Sequence, residues 1–390
     1  MTDQLIETGK KYIMGTYSQC PIVIETGEGA RVTDHNGKSY IDMVAGIAVN
    51  SLGYNHPAII NAIQEQAKKL THISNLYWNE PEIYLAEKLC TVSKMDKAFF
   101  CNSGAEANES AIKLARKFGG ERKTIVSLEQ SFHGRTLGAL KATGQIKYQT
   151  SFMPLPEGFR YTAANDNDMF DNVIGDDVCG VLLEVIQGEA GVYALEESYL
   201  KHVEEVCREK NILFMIDEVQ TGMGRTGYSF AHQAFDLHPD VVTMAKAVAG
   251  GIPMGVMLAK EHAAQAFVPG DHASTFGGNP VAAHTGLAVA NIIFEDDFLS
   301  EVRNKGDYFI KQLATLVDGK NVHEVRGRGL MLGILLDDSI VPGDVIDACR
   351  EKGLLVCTAG KHVLRFVPPL VLSKADIDEA VAIVKQVLYA

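Results

Sequence analysis

Residues 212–227 read ILFMIDEVQTGMGRTG, and this stretch indicates the fold before any other. Its first five residues are continuously apolar, as in a strand covered on both faces, and the run ends at one acid, Asp217. In open α/β sheets, ligands gather at the carboxyl ends of strands. The following GMGRTG has the glycine spacing of a dinucleotide-binding loop, but EVQT separates it from the strand and no clear helix begins there. We therefore expect Asp217 to face a ligand of another kind.

Similar apolar runs recur on either side of this stretch. Between about residues 97 and 260 they alternate with longer helical patterns, and they read KAFFC, TIVSL, GVLLEV, ILFMID, DVVTM and GVMLA. This alternation predicts an α/β fold whose large domain holds a mostly parallel sheet between helices. After Asn279, two helical stretches, short strands and a last amphipathic helix predict a smaller α+β domain. We expect a large domain over 56–290, a small domain over 291–390, and an N-terminal segment over 1–55 that packs on the small domain or on a partner subunit.

The composition is that of an ordinary globular enzyme. The net charge is −13 and no basic run occurs, which argues against nucleic acid and anionic membranes as partners. The seven cysteines form no C-x-x-C pair and the N-terminus lacks the pattern of a signal peptide, so we expect reduced thiols in the cytoplasm. No uninterrupted apolar stretch suits a membrane span, and no histidine pair has ligand spacing, so we expect no metal.

Lys246 lies in TMAKAVAGG, among apolar and small residues. Burial of an ammonium lowers its pKa, and the neutral amine is the nucleophile of Schiff-base chemistry. Alternatively, the lysine reaches water with its head, and Asp217 is a helix cap or an ion-pair partner. Together, however, an acid at one strand end and a lysine on the next strand predict a site for pyridoxal phosphate. There the lysine binds the aldehyde, and the acid keeps the ring nitrogen protonated.

The segment CNSGAEANESAIKLARKFG indicates a binding site for the phosphate group of pyridoxal phosphate. Ser103 and Glu106 have the spacing of a capping box, and Gly104 lets the first N–H groups of the helix approach an anion. An ordinary capped helix would have the same pattern. The turn SFHGRT offers Phe132 for stacking on a cofactor ring and Arg135 for a carboxylate, although such residues are more often core and solvated, respectively.

These segments together resemble one enzyme family. In order, NSGAEANESAIKLAR, SFHGRT, EVIQGEAGV, IDEVQTGMGRTG, TMAKAVAGGIPMG and STFGGNP are similar to the class III aminotransferases, which are pyridoxal-phosphate enzymes of fold type I. The resemblance runs from Tyr17 to the LRFVPP segment. It implies a homodimer with shared active sites, in which Thr275 reaches the phosphate of the neighbouring subunit.

The resemblance also implies a role for each cofactor residue. Lys246 would hold the aldehyde and move the proton, and Asp217 would bind the pyridine nitrogen. Val219 would lie against the ring, with Gln220 near its phenolic oxygen. The remaining cofactor contacts that it implies are the backbone at Ser103, Gly104 and Ala105 and the ring of Phe132.

The family further implies how two different amino compounds use one site. Arg365 resembles the arginine that binds the α-carboxylate of glutamate. Glu189 resembles the carboxylate that pairs with this arginine in one half-reaction and swings away in the other, although a structural ion pair would involve the same two residues. Arg135 would hold the distal carboxylate, and Tyr17 and Ser274 complete the expected substrate contacts.

Two segments, DMVAGIAVNSLGYNHP and HISNLYWNEP, are most similar to the members of the class that use N2-acetyl-L-ornithine. The implied reaction transfers its δ-amino group to 2-oxoglutarate, in arginine biosynthesis. Ornithine and succinylornithine are alternative donors, since enzymes for them share every catalytic residue. 4-Aminobutyrate is a further alternative, and an enzyme for it would keep the lysine but form another product. An aminomutase and a binding protein without cofactor are further alternatives. Trp78 is bulkier than expected at the mouth of the pocket.

Overall fold

The computed structural model describes residues 2–389, and none of its helices combines the length and apolar character needed to span a membrane. The helices are α1 (Thr2–Tyr12), α2 (Ala45–Ala48), α3 (Pro57–Lys69), α4 (Glu80–Ser93), α5 (Gly104–Phe118), α6 (Leu137–Ala142), α7 (Ile146–Gln149), α8 (Asn167–Val173), α9 (Glu197–Glu209), α10 (Glu261–Ala264), α11 (Pro280–Ile293), α12 (Asp296–Ala314), α13 (Pro342–Glu351) and α14 (Lys374–Leu388). The strands are β1 (Ile24–Glu28), β2 (Arg31–Asp34), β3 (Ser39–Asp42), β4 (Lys97–Cys101), β5 (Thr124–Leu128), β6 (Phe159–Thr162), β7 (Val178–Leu183), β8 (Ile186–Gln187), β9 (Tyr193–Ala194), β10 (Leu213–Asp217), β11 (Val241–Met244), β12 (Gly255–Ala259), β13 (Val322–Arg328), β14 (Met331–Leu336), β15 (Leu354–Leu355), β16 (Cys357–Ala359) and β17 (Val363–Phe366).

A seven-stranded sheet forms the centre of the large domain. Its strand order is β4-β12-β11-β10-β7-β5-β6, and within this sheet β12 alone runs antiparallel to its neighbours. The six apolar runs of the sequence are strands of this sheet, which confirms the predicted α/β class. The remaining strand, β6, reads FRYT; it is absent from the predicted set because it carries an arginine and is only partly buried.

Helices cover both faces of this sheet. Along β10, Met215 packs in a cluster with the apolar face of α5, whereas Phe214 and Ile216 pack in a second cluster with α9. Successive side chains of a strand point to opposite faces, so each face of β10 has its own helical cover. This double cover explains why the strand sequence is continuously apolar.

Within the described residues, the chain forms three smaller sheets: the two-stranded pair of β8 with β9, and two sheets of four strands. One is antiparallel, with the order β13-β14-β17-β16. In the other, β1, β2 and β3 from the N-terminal segment join β15, where Leu354 lies opposite Ile41. The N-terminal segment thus shares a sheet with the C-terminal part of the chain. Helix α11 spans residue 290, so the boundary that the sequence suggests there falls inside a helix.

The turn Ala45–Ala48, assigned as α2, is wound in the left-handed sense, with φ between 51° and 66°. Left-handed backbone is disfavoured for L-residues by roughly 1–2 kcal/mol per residue. Asp42 holds the start of the turn, because its carboxylate accepts hydrogen bonds from the N–H groups of Val44 (2.8 Å) and Ala45 (3.0 Å) and from the hydroxyl of Tyr54 (2.6 Å). The turn delivers the next residue, Val49, to the wall of the active-site cavity.

Candidate active site

A cavity of about 470 Å³ opens where the parallel strands of the large sheet end. Its wall includes a residue at or just after the end of each of five strands: Ser103, Phe132, Glu184, Asp217 and Lys246, for β4, β5, β7, β10 and β11. Because the carboxyl ends of parallel strands meet at one edge, segments far apart in sequence converge here. The predicted site residues that line the cavity are Ser103, Gly104, Ala105, Phe132, Arg135, Glu189, Asp217, Val219, Gln220 and Lys246.

Lys246 lies two residues beyond the end of β11, so the prediction that it lies on the strand itself is wrong. Its φ of 48° is rare for a residue with a side chain, and this conformation begins a short 3-10 turn. The side chain is accessible from the cavity. Burial lowers the pKa of its amine, while the carboxylates of Asp217 and Glu189 act in the opposite direction. A lowered pKa favours the neutral amine that condenses with an aldehyde.

Three donors hold the buried carboxylate of Asp217. Oδ2 accepts a hydrogen bond from Asn108 Nδ2 (2.7 Å) and lies 2.8 Å from His133 Nδ1, and Oδ1 accepts one from the N–H of Val219 (2.9 Å). Asn108 is held in turn, because its Oδ1 accepts a hydrogen bond from Thr243 Oγ1 (2.7 Å). These contacts fix the direction of the carboxylate. Asn108 and His133 are not among the predicted site residues.

The start of α5 presents backbone N–H groups to the cavity. Ser103 caps the helix, since its Oγ accepts a hydrogen bond from the N–H of Glu106 (3.2 Å). The carboxylate of Glu106 reaches back to the N–H of Asn102 (2.9 Å) and not to that of Ser103, so the predicted capping box is only half formed. A methyl group on Gly104 would lie 2.7 Å from Val219 Cγ1. Glycine is therefore required for the close approach of the helix to the loop after β10.

Glu184 is a second buried acid at the end of a strand, and the sequence prediction does not include it. Its Oε2 accepts a hydrogen bond from the N–H of Phe132 (3.0 Å). Burial raises the pKa of this carboxyl to about 7. The pattern that indicated Asp217, an acid directly after a buried apolar run, also describes Glu184 in GVLLEV and would have identified it.

Arg365, on β17 of the small domain, reaches the site through an ion pair. Its Nη1 lies 2.5 Å from Glu189 Oε1 and also donates to the carbonyl of Gly188 (3.3 Å) and to Gln220 Oε1 (3.4 Å). Burial alone would lower the pKa of the guanidinium, but the thiol of Cys357 and the carboxylate of Glu189 raise it above its ordinary value. Arg365 is therefore a permanent buried cation directly behind Glu189 and Gln220, which line the cavity.

Four predicted residues do not line the cavity of this chain: Arg365, which contacts Glu189 and Gln220 of the cavity wall, and Tyr17, Ser274 and Thr275. Tyr17 is 78% exposed and Thr275 is exposed as well. Ser274 lies next to the cavity, where its Oγ accepts a hydrogen bond from Asn102 Nδ2 (3.2 Å). Arg135, which does line the cavity, is exposed, and its guanidinium lies over the ring of Tyr148 (4.0 Å to the centroid).

The sequence of almost the whole chain matches one known family. The family described as Aminotransferase class-III matches residues 12–388. The chain belongs to the class III aminotransferases. Two relatives in this class are named acetylornithine aminotransferase. The protein of Caldanaerobacter subterraneus subsp. tengcongensis is 50% identical, over 98% of this chain and 99% of its own length. The protein of Methanothermobacter thermautotrophicus is 47% identical, over 99% of both chains.

Solved structures of class III aminotransferases share the fold. N-acetylornithine aminotransferase from Stenotrophomonas maltophilia superposes with a TM-score of 0.84 at 36% identity, over 98% of each chain. An ornithine aminotransferase from Toxoplasma gondii gives a TM-score of 0.95 at 31% identity, over 100% of this chain and 94% of the other. The latter structure contains pyridoxal phosphate at partial occupancy. The agreement confirms fold type I for this chain.

Class III aminotransferases depend on pyridoxal phosphate, and the cavity residues fit this group. The first N–H groups of α5 suit its phosphate, since the start of a helix binds anions. Phe132 and Val219 offer apolar surface for a ring, with the fixed carboxylate of Asp217 for its nitrogen and the amine of Lys246 for its aldehyde. When bound, the cofactor would delocalise into its ring the electron pair that stays on a substrate carbon when this carbon loses its proton. The site is thus equipped for transamination.

We expect Lys246→Ala to lower the rate of transamination by at least about 10⁴-fold, because no other amine in the predicted set can hold the aldehyde and move the proton. The measurement is the turnover of an amino donor with 2-oxoglutarate. The melting temperature should stay the same or rise, because a buried amine is removed. Lys68→Ala, on the exposed side of α3, is the control. Substantial turnover by the Lys246 variant would refute the assignment.

Proposed function

We propose that this aminotransferase moves the δ-amino group of N2-acetyl-L-ornithine to 2-oxoglutarate. The identity of 45–50% to full-length enzymes named acetylornithine aminotransferase carries this proposal. The products are N-acetyl-glutamate 5-semialdehyde and glutamate, which fits a step of arginine biosynthesis. Ornithine is the rival donor, because the fold superposes on ornithine aminotransferases with TM-scores of 0.94 and 0.95, at 30% and 31% identity.

The ion pair of Arg365 with Glu189 supports a site that serves two unlike amino compounds. Acetylornithine brings no carboxylate next to its reacting carbon, so a free guanidinium there would be buried and unpaired, which is costly. With Glu189 in contact at 2.5 Å, Arg365 is already neutralised when this donor binds. Glutamate requires the reverse arrangement, in which Glu189 turns away and Arg365 binds the α-carboxylate.

Other side chains orient the substrate and move its proton. Arg135 lies at the exposed side of the cavity, where its guanidinium is suited to the distal carboxylate of either substrate. In each half-reaction, Lys246 Nζ takes the proton from the carbon that bears the amino group. Gln220 Oε1 accepts a hydrogen bond from Arg365 and links the arginine to the loop after β10.

The exposed apolar surface next to Thr275 supports the proposal of a homodimer. Five residues form what we call the apolar patch: Ile73, Leu76, Tyr77, Trp78 and Phe276, between 37% and 89% exposed. Asn75 joins its two segments, since its Nδ2 donates to the carbonyls of Ser274 (2.9 Å) and Gly277 (3.0 Å). An exposed patch of this kind marks an interface. A partner on it would bring each Thr275 towards the other subunit, where its hydroxyl is available to a phosphate.

A cytoplasmic location is consistent with the thiols. All seven cysteines are free, and four of them are buried. Compartments that keep thiols reduced are intracellular.

A panel of four donors tests the proposed substrate. We expect kcat/KM with 2-oxoglutarate as acceptor to be highest for N2-acetyl-L-ornithine, by at least about tenfold over ornithine, succinylornithine and 4-aminobutyrate. The physical reason is that the acetyl group removes the charge of the α-amine without adding a carboxylate. A higher value for ornithine would replace the proposed donor and leave the class unchanged.

Glu189→Gln tests the switch. Single-turnover rates are measured from the absorbance of the cofactor, with acetylornithine or glutamate added separately. We expect the acetylornithine rate to fall by about 100-fold, since Arg365 loses its neutralising partner, and the glutamate rate to change far less. Glu324→Gln, an exposed carboxylate on β13, is the control. Equal losses in both half-reactions would mean that the pair is only structural.

The shared site is tested by two substitutions. Trp78→Glu should convert a dimer to a monomer in sedimentation experiments, because a charge in the apolar patch opposes burial. Thr275→Val should keep the dimer but weaken the affinity for pyridoxal phosphate about tenfold, through loss of one hydrogen bond to an anion. Val341→Glu places the same charge on an exposed apolar residue of the small domain as a control. A monomer with undiminished cofactor affinity would contradict a shared site.

A further inference from the structure

Arg225, in the GMGRTG segment, is a buried guanidinium that has no acidic partner within residues 2–389. It is 1% exposed, and burial lowers the pKa of its guanidinium. Within residues 2–389 its Nε has no hydrogen-bond partner at all. A buried charge without a counter-ion is expensive, so its contacts must be specific to be retained.

Neutral oxygens from two other parts of the chain surround this guanidinium. Nη1 donates to the carbonyls of Leu330 (3.0 Å) and Pro368 (2.5 Å), and Nη2 lies 3.5 Å from Ser51 Oγ. Leu330 and Pro368 belong to the small domain, whereas Ser51 follows the left-handed turn near the cavity. The carbonyl of Arg225 also accepts a hydrogen bond from the N–H of Leu330 (3.0 Å). One residue of the large domain therefore binds both neighbouring segments.

The glycines of this region allow backbone to pack directly on backbone. A methyl group on Gly329, whose φ is 59°, would lie 2.6 Å from the carbonyl carbon of Thr226 and 2.8 Å from the carbonyl oxygen of Arg225. A methyl group on Gly224 would lie 2.6 Å from Ile293 Cγ2. The glycine spacing that resembles a dinucleotide loop thus serves a close contact between the two domains.

The two segments that meet at Arg225, the exit of β17 and the loop after β10, each continue to a residue of the active site. Pro368 follows Arg365 by three residues on the segment that leaves β17. On the other side, Gln220 precedes Arg225 by five residues, lines the cavity and accepts a hydrogen bond from Arg365 Nη1 (3.4 Å). The position of Arg365 relative to Asp217 therefore depends on how the GMGRTG segment and the exit of β17 are joined.

We propose that Arg225 is a positioning residue. It fixes the position of Arg365 relative to Asp217 at the end of β10, and it thereby determines how tightly glutamate binds. This inference rests on the proposed role of Arg365. Arg225 itself does not line the cavity. A guanidinium suits the task because its planar fork donates in fixed directions, which a lysine ammonium does not.

The two half-reactions separate this role from a purely structural one. We expect Arg225→Met to slow the single-turnover reaction with glutamate by about 100-fold, as misplacement of a binding group by about 1 Å does, and to leave the acetylornithine reaction within about threefold of the parent. The glutamate rate of Arg225→Lys should lie between those of Arg225→Met and the parent protein. Arg328→Met, which removes a guanidinium that packs on the rings of Tyr228 and Phe235, should affect neither reaction.

A second measurement, the affinity for an unreactive analogue of glutamate, does not depend on turnover. Glutarate carries the two carboxylates of glutamate without the amine, and its Kd is measured by calorimetry on the cofactor-loaded dimer. The Kd should rise in Arg225→Met and less in Arg225→Lys. Equal losses in both half-reactions, an unchanged glutarate Kd, or failure of both variants to fold would overturn the positioning role.

Arg365→Ala distinguishes this proposal from the one on which it rests. If Arg365→Ala impairs the glutamate reaction selectively and Arg225→Met does not, only the role of Arg225 is refuted. If Arg365→Ala impairs both half-reactions equally, the proposed role of Arg365 fails and the inference about Arg225 fails with it.

Discussion

The carboxylate of Asp217, held away from water at the end of a buried strand, is the constraint on which the rest of the active site depends. An anion in such a place is costly unless donors surround it. Asn108 from α5, His133 from the turn after β5 and the N–H of Val219 supply them. These donors come from three segments that only a parallel sheet brings to one edge. The same carboxylate opposes the effect of burial on the pKa of Lys246, so the two residues have to be considered together.

The seven-stranded sheet and the antiparallel sheet that contains β17 contribute different kinds of residue to the site. The large sheet positions the residues that would hold the cofactor, Asp217, Lys246 and the start of α5. Arg365 comes from β17 of a separate antiparallel sheet and meets the large domain through Glu189 and Gln220. In the proposed switch, Glu189, which lies on a loop, would turn away from Arg365, which lies on a strand. The fold thus separates rigid and exchangeable contacts.

The apolar runs predicted the large sheet because burial on both faces leaves a clear pattern in one segment. Contacts between segments leave no such pattern, which is why Asn108 escaped prediction, although a polar residue on the apolar face of α5 was a signal. Glu184 carried the same strand-end signal as Asp217. The backbone of Lys246 could not be predicted, since its φ of 48° depends on the packing around the cavity. The roles given to Tyr17 and Thr275 stay predictions. Thr275 is expected to act on a neighbouring subunit, and Tyr17, expected near the substrate carboxylate, is exposed in this chain.

The left-handed turn at Ala45–Ala48 has a consequence for how the site loses its shape. Its residues would relax to the opposite hand if they were free, so the turn stores conformational energy on the order of several kcal/mol. Asp42 and Tyr54 keep it wound from one end, and Ser51, whose carbonyl accepts a hydrogen bond from the N–H of Leu370 (2.7 Å), anchors the other. The position of Val49 in the cavity wall therefore depends on the contacts at both ends of the turn and not on the backbone preference of its residues. Loss of these contacts would let the turn relax to the right-handed form and would displace Val49 from the wall of the cavity.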